Sequence, residues 1–160
     1  MESSSFSSED RATRYREAVE QLGALCEADG ELVSNLANAS ALLKDCIARA
    51  SWVGFYLRRG EQLVLGPFQG KVACVAIEFG RGVCGTSAAT REILVVPDVE
   101  AFPGHIACDA GSRSEIVVPV LQGDRVVAVL DVDSYELAAF DEVDAAGLGE
   151  VVKLMARWAW

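Results

Sequence analysis

The chain has 160 residues, 51% hydrophobic and 24% charged, the proportions of one ordinary globular domain. A formal net charge of −10 and a sequence pI near 4.5 argue against nucleic acid and anionic membranes as partners, because both repel an acidic surface. The longest apolar runs, such as Val126–Leu130, are too short to span a bilayer.

The first ten residues, MESSSFSSED, lack a basic stretch followed by an apolar core, so they do not read as a secretory signal. They are expected to form a disordered polar tail, with residues 11–160 as the folded domain. Residues 11–27 carry Tyr15, Val19, Leu22 and Cys26 at helical spacing and stop at Asp29-Gly30. A second amphipathic helix follows, with Leu32, Leu36, Ala39, Leu42, Leu43 and Cys46 on one side. The pattern then turns to strands: 51–57, 61–65 after the turn Arg58-Arg59-Gly60, and 71–77. A short helix is predicted from Arg81 to about Thr90, and a short strand over 94–97. Residues 98–114 lack periodicity and read as a long loop holding His105, the single histidine, and Cys108. Strands over 115–121 and 125–134 flank the tight turn Gln122-Gly123-Asp124, and a helix over 140–157 closes the chain. This order predicts an α+β fold, a central antiparallel sheet with flanking helices packed on one face.

Five cysteines, an odd number without an export signal, point to a reducing, cytoplasmic setting in which each is either a small buried hydrophobe or reactive. Cys26 and Cys46 lie on apolar helix faces and read as core. Cys84 sits at a predicted helix N-terminus, where the dipole favours a thiolate, and Cys108 sits in a reachable loop, so the residues alone leave both as nucleophiles. Asp131 and Asp133, two apart on one strand, share a face. Their mutual repulsion favours keeping one proton between them, and Glu115 opens the neighbouring strand. Trp52 and Tyr56, four apart, can share a face as an aromatic wall. The backbone amides of residues 82–85 are a candidate anion seat at the helix start. His105-x-x-Cys108 with Cys74 and Cys84 lacks the spacing of a familiar zinc motif, so no metal is expected.

Six segments in register carry a resemblance: Trp52-Val53-Gly54-Phe55-Tyr56, residues 65–74, Gly80-Arg81-Gly82-Val83-Cys84-Gly85-Thr86, Gly104-His105-Ile106-Ala107-Cys108-Asp109, residues 114–119 and residues 129–134. Together with residues 35–43 they resemble the free methionine-R-sulfoxide reductases, a family built on a single GAF-type domain. The resemblance implies Cys108 as nucleophile, Cys74 as the main resolving thiol and Cys84 as an auxiliary or alternative one. It implies a substrate pocket formed by Glu115, Asp131, Asp133, Trp52 and Tyr56. It further implies no bound cofactor, thioredoxin with its NADPH-dependent reductase as external reductant, and a homodimer. The alternative is a non-catalytic GAF sensor of a small ligand or of oxidants, a use for which three cysteines in thirty-five residues have no evident purpose when the ligand is merely bound.

Overall fold

In the computed structural model, which describes residues 6–160, a six-stranded antiparallel sheet separates two groups of helices. The elements in chain order are α1 (Arg11–Leu25), α2 (Leu32–Cys46), β1 (Trp52–Arg59), β2 (Gln62–Gln69), β3 (Ala76–Glu78), α3 (Gly82–Thr90), β4 (Leu94–Val96), a 3₁₀ turn (Val99–Ala101), β5 (Ser114–Gln122), β6 (Arg125–Ser134) and α4 (Glu142–Met155). The strand order is β3-β2-β1-β6-β5-β4.

Alternation along the central strands builds two cores. Val53 and Phe55 of β1, Ile116 and Val118 of β5, and Leu130 and Val132 of β6 face α1, α2 and α4. Trp52, Tyr56, Val117 and Val129 face the other way, toward α3. The expectation of helices on one face is therefore corrected: three pack there, and α3 covers the opposite face. Nine residues with small side chains and two glycines make α3 too short to bury much surface, so that face keeps room for a cavity.

The predicted strand over 71–77 shrinks to β3, residues 76–78. Residues 71–74 leave the sheet as an irregular strap, and Val72 and Val75 are largely exposed. Side chains from β1 hold the strap: Trp52 Nε1 donates to Lys71 O at 3.0 Å, and the Tyr56 hydroxyl donates to Cys74 O at 3.0 Å.

The helical layer is tied by one buried polar knot. Asp10 caps α1 by accepting from Thr13 N, and Asp141 and Asp144 form a capping box on α4. Asp144 is buried, and it accepts from the Tyr15 hydroxyl at 2.7 Å and from Arg11 at 2.8 Å. Gly147 lets the two helices meet, since a Cβ there would strike the Tyr15 ring. Asp144→Ala is expected to lower stability by about 2–4 kcal/mol, because it leaves the Tyr15 hydroxyl and the α4 start without their acceptor. Urea unfolding at constant m-value checks it, and a loss under about 0.5 kcal/mol would show the knot to be replaceable by water. The first five residues of the expected tail lie outside the described residues. Phe6 lies under the Arg14 guanidinium, 4.7 Å from centroid to Cζ.

Candidate active site

The face covered by α3 carries the acidic residues. The β5–β6 register sets Glu115 opposite Asp133 and Val117 opposite Asp131; the β1–β6 register sets Trp52 opposite Asp133 and Gly54 opposite Asp131. Glu115, Asp131, Asp133 and Trp52 thus occupy two adjacent rungs of one sheet face, with Tyr56 on the next. Trp52 stacks on Phe68 at 5.2 Å and on Tyr56 at 6.1 Å, between centroids. Gly54 makes that wall possible, because a Cβ there would collide with the Trp52 ring and with Phe68.

These side chains line one cavity with Cys84, His105, Ile106 and Cys108. Its volume is about 50 Å³, room for one or two water molecules. Two irregular segments roof it. Cys74 of the strap and Cys108 of the long loop are joined by a disulfide, with Cα atoms 5.4 Å apart. A second clasp runs through Tyr135, whose hydroxyl donates to Asp109 at 2.7 Å while the Lys71 ammonium sits 5.3 Å from its ring centroid. Cys84 stays a free, buried thiol, as do Cys26 and Cys46, which are core residues as their helix faces suggest.

Cys84 corrects a sequence expectation. It lies in the first turn of α3, but its thiol is buried beside three carboxylates. Desolvation first, and then the charge of Asp131, push its proton affinity well above the ordinary thiol value. A helix terminus contributes about half a charge, and burial outweighs it here. The neutral thiol donates to Glu115 Oε1 at 3.8 Å. Loss of solvent also raises the carboxyls, Glu115 and Asp133 well above the usual range and Asp131 to about 6, with Asp131 adding repulsion at the other two. Asp131 Oδ1 is buried with no hydrogen-bond partner. An unpartnered acceptor at the floor of an acidic cavity is a seat for a cationic or proton-bearing group. Cys84, Glu115 and Asp131 bring ligand atoms within 4.8 Å of one another, a spacing that suits a shared cation or shared protons. Protons alone neutralise such a set, so it reads as an acid cluster.

At the other end, Arg81 caps α3 without a side-chain bond, and Gly85 N is already bonded to Arg81 O. The candidate anion seat narrows to the first three amides of α3, residues 82–84, which have no partner within the helix by position. Arg81, Ile106 and Asp109 also line the cavity; they fall in the resembling segments, but the sequence assigns them no role. The clasp through Tyr135, which directly follows the acidic strand, has no signal in the sequence beyond that position.

Comparisons with known proteins place the fold and the family. The GAF domain family matches residues 10–157. The chain is 45% identical to the free methionine-R-sulfoxide reductase of Escherichia coli strain K12, over 89% of this chain and 87% of that one. It is 46% identical to the Saccharomyces cerevisiae enzyme of the same name, over 81% and 77% of the two chains. The crystal structure of the Neisseria meningitidis free methionine-R-sulfoxide reductase in complex with its substrate superposes with a TM-score of 0.93 at 48% identity, covering 98% of this chain and 95% of that one. By the domain match and by these identities over most of the chain, this protein belongs to the free methionine-R-sulfoxide reductase family of GAF-domain proteins.

Proposed function

We propose that the chain reduces free L-methionine-(R)-S-oxide to L-methionine, using Cys108 as nucleophile and Cys74 as resolving thiol. The observation that carries this reading is a disulfide between two loop cysteines roofing a cavity whose floor is a proton-rich acid cluster. Sulfoxide reduction needs those two things together: a thiolate for sulfur and a proton for oxygen.

The Cys108 thiolate attacks the sulfoxide sulfur, and a protonated carboxyl, Glu115 in this reading, gives its proton to the oxygen. Oxygen passes to Cys108 as a sulfenic acid and methionine leaves, so substrate sulfur gains the two electrons that Cys108 loses. The Cys74 thiol then attacks the sulfenyl sulfur; the S–S bond forms and water departs. Asp131 and Asp133 take the ammonium of the free amino acid, and the first amides of α3 take its carboxylate. A peptide-bound residue has neither group free, which selects for the free amino acid. Trp52 and Tyr56 hold the methyl and thioether end. Reduction of the disulfide unties the strap from the long loop, the two segments that roof the cavity.

We assign thioredoxin, recharged by its NADPH-dependent reductase, as the external reductant, with no bound cofactor, and place the enzyme in the cytoplasm as a homodimer. NADPH consumption with thioredoxin and its reductase, on free R sulfoxide, free S sulfoxide and a peptide-bound R sulfoxide, tests the reading. Turnover of the free R form alone is the expected result. Folded, reduced protein that turns over none of them, even with a chemical dithiol, overturns it in favour of a ligand sensor.

A further inference from the structure

We propose that His105 is the proton carrier that returns a proton to Glu115 in each turnover, a positioning role exerted through that carboxyl. The proposal rests on the reductase reading and deepens it. His105 hangs from the long loop into the cavity, with Nε2 4.0 Å from Glu115 Oε2, while the other oxygen of the same carboxyl accepts from Cys84. Glu115 is thus held between an inner thiol and an outer imidazole. Their exposures differ in the useful direction: the Glu115 side chain is 7% exposed and that of His105 17%.

The remaining groups around Glu115 cannot do this work. Cys84 from α3 and Asp133 from β6 hold their protons more tightly than is ordinary, and Asp131 is needed ionised for an ammonium. Asp109, on the loop of His105, is engaged with Tyr135 and Gly111 N, and its carboxyl is held below the usual range by those bonds. Arg81, at the cavity rim, offers only hydrogen-bond donors. With Asp131 committed to the ammonium, the imidazole beside Glu115, its affinity lowered from the usual 6.5 by burial, is the group that both accepts and releases a proton easily.

The proton count requires such a carrier. Forming the Cys108 thiolate releases one proton, and oxygen takes one from Glu115, leaving a buried carboxylate among acids. The proton shed by the thiol must travel back to Glu115 before the next substrate, and no net proton enters or leaves in that step. His105 is three residues from Cys108 in the loop and adjacent to Glu115, and all three line the one cavity.

Steady-state methionine formation at saturating chemical dithiol by wild type, His105→Asn and His105→Ala tests this, because the proton on Glu115 is spent in the first turnover and must be returned for each later one. Both variants are expected to slow about 10- to 100-fold at pH 7, with KM for the free R sulfoxide little changed. Imidazole in the buffer should restore most of the His105→Ala rate and leave wild type unaffected. At saturating substrate the wild-type limb below pH 6.5 should vanish in both variants, while the rise in kcat/KM near pH 6 that Asp131 sets should remain. Iodoacetamide alkylation of Cys108 should keep its pH midpoint in all three proteins. Wild-type rates in both variants, or slow variants that imidazole does not rescue, overturn the proposal. A shifted alkylation midpoint overturns it in favour of direct activation of Cys108. Wild type that forms no methionine overturns the reductase reading, and this proposal with it.

Discussion

Cys108→Ser is expected to lower methionine formation by more than about 10³-fold, whereas Cys74→Ser should still release close to one methionine per chain before stopping. The difference follows from what each thiol does. Serine keeps the shape at position 108, but its alkoxide is far too rare near neutral pH to attack sulfur. At position 74 the chemistry on substrate is already over when the thiol is needed. Cys74→Ser should therefore accumulate a Cys108 sulfenic acid that a dimedone adduct captures by mass. Cys84 lines the same cavity, yet it is buried and holds its proton tightly. It is expected to resolve the sulfenic acid slowly at best, so Cys74→Ser should retain less than about a tenth of thioredoxin-supported cycling, and Cys74→Ser with Cys84→Ser none. Rapid-quench methionine analysis beside steady-state NADPH consumption separates the two phases. Full activity in Cys108→Ser would remove it as nucleophile. Undiminished cycling in Cys74→Ser would transfer the resolving role to Cys84.

The sequence made the elements legible wherever one residue pattern decides them. Helix faces showed in the 3.6 spacing that puts Cys26 and Cys46 in the core. Period two put Asp131 and Asp133 together. What it could not display is register. Gln122 pairs with Arg125 across the last hairpin, and a regular ladder from there sets Glu115 beside Val132. A bulge between Val120 and Leu121 moves the ladder by one residue, which brings Glu115 opposite Asp133. Bulges leave no mark in side-chain alternation, so the third carboxyl reached the cluster only through the family resemblance.

The strap over 71–77 was misread for a related reason. Valine, alanine, cysteine and isoleucine suit a strand, and a local reading has nothing against it. The competing bonds come from residues far away in sequence, Trp52, Tyr56 and Cys108, and they draw Lys71 through Cys74 off the sheet, while Val75 O still accepts from Leu65 N of β2. The same holds for Cys84. Its position at the helix start was read correctly, but its burial among acids depends on a sheet face thirty to fifty residues on.

The acid cluster itself carries the second large prediction: Asp131→Asn should make the protein more stable at pH 8 and a poorer enzyme. A carboxyl whose folded-state proton affinity is raised gives its full stability below the unfolded value, near 3.8, and loses it as pH rises through about 6. Moving from 3.8 to about 6 corresponds to about 3 kcal/mol of stability forgone above pH 7. Asparagine carries no charge at any pH, so the variant should gain roughly 6–12 °C in Tm at pH 8 and little at pH 4. The ammonium of the substrate then loses its partner, and KM should rise about 10- to 100-fold with a smaller change in kcat. Glu115→Gln should act on the other parameter. Its amide has no proton to give the oxygen, so kcat should fall about 10²- to 10⁴-fold. In wild type the proton donor must be protonated and the ammonium site ionised. Thus kcat/KM should climb as pH passes about 6 and decline above the raised value of Glu115, and Glu115→Gln should lack that decline. Thermal unfolding at both pH values, with kinetics on the same preparations, checks the pair. A lower Tm for Asp131→Asn at pH 8 would mean that the buried charge is compensated in the resting protein. The unpartnered oxygen would then no longer argue for a cation from the substrate.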